Sequence, residues 1–136
     1  MSYAQERDAI YNLIHKLNED FKHDIRYSGF PSPKLTSELW ARVSVNVSST
    51  NKTSLSGENS GAYTSKGLLN VEIFFSRGSA LNTKAYAFAE EIAKMLREYK
   101  YKTNLWFSQV TVTDSLPEPA YERIVVTSRF NYNFRF

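Results

Sequence analysis

Cysteine is absent from this chain, which removes disulfides, thiolate nucleophiles and thiolate-bound metals together. A cytosolic or assembled-particle setting is the simplest that fits. Histidine is almost as scarce, because His15 and His23 are the only two, and their spacing is not the i,i+4 of a zinc-binding pair. Both read as surface or structural residues. No Gly-x-Ser-x-Gly elbow, no His-Glu-x-x-His and no phosphate-cradling loop occurs, and Ser56–Gly61 lacks the Gly-Lys-Ser/Thr ending of a Walker sequence. Glu90 and Glu91 are adjacent on a helix and point different ways, so they make a poor catalytic pair. An enzyme is not expected, and neither is a cofactor or a bound metal.

Long hydrophobic runs are missing too, so no segment is expected to enter a membrane, and Met1–Gln5 leads directly into Glu6, Arg7 and Asp8 instead of an apolar signal segment. Without a secretory route the glycosylation-type triplets at Asn46 and Asn51 carry no weight. There is no dense run of Lys or Arg either: the net charge is only +3, with the cations scattered along the chain.

What the chain does have is core material. At 136 residues it is one domain, and 42% apolar with 23% charged residues is a globular balance. Nine Phe, nine Tyr and two Trp supply bulk.

Ile10, Leu13, Ile14, Leu17 and Phe21 recur at helical spacing and predict a first helix ending near Phe21 or Lys22, with Ser2 and Gln5 as a capping box. The helical period then fails. Ile25 and Tyr27 suggest a short extended edge, and Ser28–Pro33 forms a Gly- and Pro-punctuated turn. From Leu39 the period becomes two: Leu39, Ala41, Val43, Val45 and Val47 share one side, and Trp40, Arg42, Ser44 and Asn46 the other. Residues 48–64 are rich in Ser, Thr and Asn and read as a long flexible loop.

Gly67 opens a second strand with Leu69, Val71, Ile73 and Phe75 on its apolar face. Asn82 caps a second helix whose stripe is Ala85, Phe88, Ala89, Ile92 and Leu96. Leu105–Thr113 is a strand with imperfect alternation, and after Leu116–Pro119 a strand of about 12 residues, with Ile124, Val126, Ser128, Phe130, Tyr132 and Phe134 in one register, is long enough to outrun its sheet. The expected fold is α+β, with two helices on one face of a largely antiparallel four-stranded sheet, in the order α-β-β-α-β-β.

The leading amphipathic helix, the Phe30-Pro31-Ser32-Pro33 turn and Glu38–Val45 with Trp40 and Arg42 form a recognisable succession. The Gly67–Ile73 strand, the Arg77-Gly78 turn, the Ala-rich helix and the paired β ending continue it. Over nearly the whole of residues 1–136 this succession resembles the tail-terminator, or tail-completion, proteins of long-tailed bacteriophages. The resemblance implies a ring, commonly hexameric, at the head-proximal end of the virion tail. Such a ring caps the tail tube, ends its elongation and meets a head-completion protein.

Its implied partners are further copies of itself, the tail tube protein and the head-completion protein, with DNA only as passing cargo. The implied location is the virion tail, and the host cytoplasm before assembly. Interface candidates are Trp40, Arg42, Leu55, Tyr63, Arg129 and Arg135. Two other readings stand beside this one. A head-tail connector or tail-tube-like subunit shares the same build, and a small nucleic-acid-binding module would use Arg123, Arg129 and Arg135 around the C-terminal aromatics.

Overall fold

A computed structural model describes residues 3–28, 38–52, 62–76, 81–99, 105–114 and 121–135. Its elements are α1 (Tyr3–Phe21), β1 (Asp24–Tyr27), β2 (Leu39–Lys52), β3 (Ala62–Ser76), α2 (Asn82–Glu98), β4 (Leu105–Asp114) and β5 (Tyr121–Arg135). The class is α+β, but the sheet has five strands, not four, in the spatial order β1-β2-β3-β5-β4. All neighbours are antiparallel except β1 and β2, so the sheet is mixed.

The fifth strand is the short edge suggested by Ile25 and Tyr27. With four residues it has too little alternation to declare itself, and it is fixed by its surroundings. Ser28 N donates to Val43 O at 2.9 Å, and Tyr11 Oη donates to Ser28 O at 3.0 Å. Just before it, Lys22 follows the end of α1 with φ at 56°, a left-handed conformation uncommon outside glycine. The Asn18 amide holds this turn from both sides: Nδ2 donates to His23 O at 2.8 Å, and Oδ1 accepts from His23 N at 2.9 Å.

Both ends of the polar stretch 48–64 are strand, which corrects its reading there as a loop. β2 continues to Lys52 and β3 begins at Ala62, with residues 53–61 outside those described. Cross-strand pairing explains the difference, since the polar side chains that could compete with a ladder bond across it instead. Thr50 Oγ1 and Ser65 Oγ lie 3.1 Å apart, Ser48 Oγ donates to Lys66 O at 2.9 Å, and Thr64 Oγ1 donates to Asn133 Oδ1 at 2.6 Å. β5 is likewise longer than expected, at 15 residues, and it does not outrun its sheet. It pairs with β3 from Tyr121↔Ser76 to Arg135↔Ala62.

One core joins both helices to one sheet face. Ile10 and Ile14 of α1 and Ala85, Phe88, Ala89, Ile92 and Leu96 of α2 are buried with Ala41, Val43, Leu69, Val71, Ile73, Ile124, Val126 and Phe130. Each fully buried large side chain contributes about 1.5–3 kcal/mol. Gly67 belongs to this packing, because a Cβ there would lie 2.1 Å from Asn46 O and 2.7 Å from the Phe130 ring. The missing side chain makes room for the aromatic one.

Two local expectations fare differently. Asn82 is the first residue of α2 and not its cap: Leu81 holds the cap position, while Asn82 Oδ1 accepts from Thr83 N at 2.8 Å. The imperfect alternation in β4 has a cause, a register shift between Ser108 and Thr111 with Gln109 at φ 51°. Ser2 of the expected capping box, Gly29–Pro33 of the expected Ser28–Pro33 turn, and the expected turns at Arg77-Gly78 and Leu116–Pro119 lie outside the described residues. Among the described residues, no helix is long and apolar enough to cross a membrane.

Candidate functional site

Strands alternate, so burying Leu39, Ala41 and Val43 of β2 turns Trp40 and Arg42 to the face opposite the helices. Register then decides their neighbours. Trp40 pairs with Phe74 of β3, which pairs with Arg123 of β5; one row along, Arg42 pairs with Glu72, and Glu72 with Val125. Trp40 and Phe74 stack with centroids 4.3 Å apart and planes 15° from parallel. Offset aromatic pairs of this kind add roughly 0.5–1.5 kcal/mol to their burial.

Beside them one carboxylate links three strands. Arg42 donates to Glu72 Oε1 from Nε at 3.0 Å and from Nη2 at 2.9 Å, and Arg123 Nη1 donates to Oε2 at 2.6 Å. The Arg42 guanidinium also lies 5.6 Å from the Phe74 ring centroid. Arg42 keeps 48% of its side chain exposed, so the group is a surface network and contributes little to stability. What it does is fix the direction of several charges on an open sheet.

The structure brings Trp40 and Arg42 together, as adjacent β2 residues on one face require, and it adds Phe74, Glu72 and Arg123. Arg123 stood out in the sequence only for the nucleic-acid reading, and Phe74 and Glu72 were not singled out. The signal that could have found them is the pairing of the Trp40 strand with the Gly67 strand, since an antiparallel register places Glu72 across from Arg42. Arg129 is exposed on the same face but three rows away, across from Leu68. Tyr63 sits near the far end of β3, paired with Lys52 and Phe134, in the same alternation as Ser65 and Gly67. For Arg135 the structure describes the backbone pairing with Ala62 and not the side chain. Leu55 lies outside the described residues.

No sequence family and no curated protein matches this chain. Among solved structures the fold is similar to that of a protein without a functional designation, at a TM-score of 0.60 over 94% of this chain and 96% of the other. The likeness is one of fold. At 12% identity it carries no residue roles across.

On the helix side two of the grooves contain the histidines. Asp8, Tyr11, Asn12, His15 and Tyr27 line one of about 330 Å³ between α1 and the β1 edge. The Tyr11 and Tyr27 rings meet at 4.9 Å, and burial, with Tyr11 beside it, pushes the Tyr27 phenol up to about 12. The second groove, lined by Lys22, His23, Asp24, Glu38, Leu39, Leu81 and Lys84, contains the other histidine. His23 packs on Phe88 at 4.7 Å and Phe21 at 5.7 Å. Burial first, and then Lys84, hold its pKa below the usual 6.5, so its role is that of a neutral packing ring.

Glu6 is the one acid among the described residues with no exposed surface. Burial raises its pKa above 4.5, and neither carboxyl oxygen has a hydrogen-bond partner among the described residues. The described residues contain no group of three or more potential metal ligands.

Proposed function

We propose that this chain is a structural subunit of a long-tailed bacteriophage, assembling into a ring that caps the tail tube, ends its elongation and provides the head-joining surface. The observation that carries the reading is the sheet face turned away from the helices, where half-buried Trp40, buried Phe74, Arg42, Glu72 and Arg123 are organised across three strands. Trp and Arg dominate the energetics of many protein interfaces, and pre-fixed side chains lose little entropy on docking. The tail-terminator resemblance of the sequence supplies the setting.

A ring needs a heterologous contact that closes by rotation, whereas the same contact with an axial step gives an open filament. A terminator must therefore accept a tube subunit on one side and refuse the next ring on the other. The test is to add purified protein to tube subunits growing on their initiator complex and to measure tube lengths by electron microscopy. Short tubes bearing one extra ring, stable to excess subunits, are the expected result. Continued growth, or this chain distributed along the tube wall, would overturn the proposal and favour a tail-tube-like subunit.

A further inference from the structure

Charge is shared unequally between the two layers of the fold. Across the outward register of the sheet stand Arg26, Arg42, Lys66, Arg123 and Arg129 against Asp24 and Glu72, five cations to two carboxylates. The helices carry no such excess. α2 has three cations and three acids, and α1 has two cations and four acids, one of them the buried Glu6. Among the described residues of the helices and the sheet, the excess of positive charge is thus on the face turned away from the helices.

Within that face the cations differ. Arg42 and Arg123 are held by Glu72, whereas Lys66 and Arg129 are exposed and have no ion-pair partner among the described residues. Between them stands Leu68, directly across from Arg129, two residues along β3 from Lys66, and 40% exposed. Cross-strand neighbours lie about 5 Å apart at Cβ, and next-but-one residues of a strand about 7 Å. Asn46 and Asn131 border the group, and Trp106 follows beside Asn131 on β4.

We propose that this patch, centred on Leu68 with Lys66 and Arg129, docks an acidic polypeptide segment of another protein. The charge selects the class of partner. Among the described residues a second copy of this chain offers no acidic layer to match, because α2 is balanced and the surplus acid of α1 is partly buried. A nucleic-acid strand finds, among the described residues, only two cations free for its phosphates here, and it meets the Glu72 carboxylate among the remaining ones. A segment bearing carboxylates beside an apolar side chain satisfies both kinds of group at once, the apolar contact giving affinity and the charges giving orientation and rate. The inference is independent of the ring reading, since it concerns one face of one subunit.

Fluorescence anisotropy tests it with three labelled probes. They are a short peptide of glutamate interspersed with leucine, its Gln-for-Glu counterpart, and a single-stranded oligonucleotide of matching length. The glutamate peptide is expected to bind best, with affinity falling as salt rises. Arg129→Glu and Lys66→Glu should each weaken it by about tenfold or more, and Leu68→Ser by about threefold. Lys94→Glu, on the exposed side of α2, should leave it unchanged. Circular dichroism and melting verify that each variant is folded, and Arg129→Gln removes the charge with the smaller change of shape. Failure of the peptide to bind, insensitivity to Arg129→Gln and Lys66→Glu, or tighter binding of the oligonucleotide would each overturn the proposal. Tail-tube capping enters none of these measurements, so the two proposals fail separately.

Discussion

β3 shows two different ways of holding a strand in place. On its inner side Leu69, Val71 and Ile73 have no exposed surface and are fixed by packing against both helices. On its outer side Asn70, Glu72 and Phe74 are fixed by partners on neighbouring strands: Asn70 Oδ1 accepts from Thr127 Oγ1 at 3.2 Å, Glu72 holds two arginines, and Phe74 carries Trp40. Burial is strong and non-directional, whereas the outer contacts are individually weak and directional. The inner face can therefore supply the stability while the outer face sets out chemistry.

Substitutions on the two sides should separate these roles. The largest loss is expected from Gly67→Ala on the inner side, because the new methyl meets backbone at Asn46 as well as the Phe130 ring. Urea denaturation should show a fall of roughly 3 kcal/mol. An unchanged midpoint would mean that the ladder can open there freely. Trp40→Ala, which removes the half-buried outer stack, should cost about 2 kcal/mol by the same measurement, less than a fully buried aromatic. A loss as large as that of Gly67→Ala would erase the distinction between the faces.

Glu72→Gln should cost about 1–2 kcal/mol, and less at high salt, since it leaves half-exposed Arg42 and the more buried Arg123 facing each other across a neutral amide. The last test concerns slope. Glu6 has its folded pKa raised above 4.5, so between that value and the raised one the folded chain holds a proton that the unfolded chain has released. Its contribution is fully present below pH 4.5 and declines as pH rises through the folded pKa. Thermal melts across pH should show that decline in the natural chain and a flatter profile in Glu6→Gln.

Much of the inner face was legible in the sequence, because burial repeats at fixed periods. The stripes Ala85–Leu96 and Leu69–Phe75 are where the alternation placed them. The first helix was right in extent, although the buried Tyr11 lay outside its predicted stripe. The outer face was only half legible. Trp40 and Arg42 stood out against a Val-rich strand, but their partners depend on register, and register is a property of two strands at once. The polar continuation of β2 and β3 was hidden for the same reason: Thr50, Ser65, Thr64 and Asn133 look like loop residues singly and become a sheet only as pairs. β1 was too short for its pattern to count.

The bulge in β4 governs how the sheet can end. An outermost strand offers a row of unpaired backbone groups to any extended chain, a standing invitation to aggregate. Here the ladder of β4 is broken near its middle at Gln109, and the opposite border, β1, is four residues long. A newcomer pairing along β4 finds a kinked template; along the other border β1 stops after four residues, and among the described residues β2 from Ser44 on is the edge beyond it. The β4 border is thereby a poor template for backbone pairing, and association between copies there falls to side chains, whose geometry can limit an assembly to a fixed number.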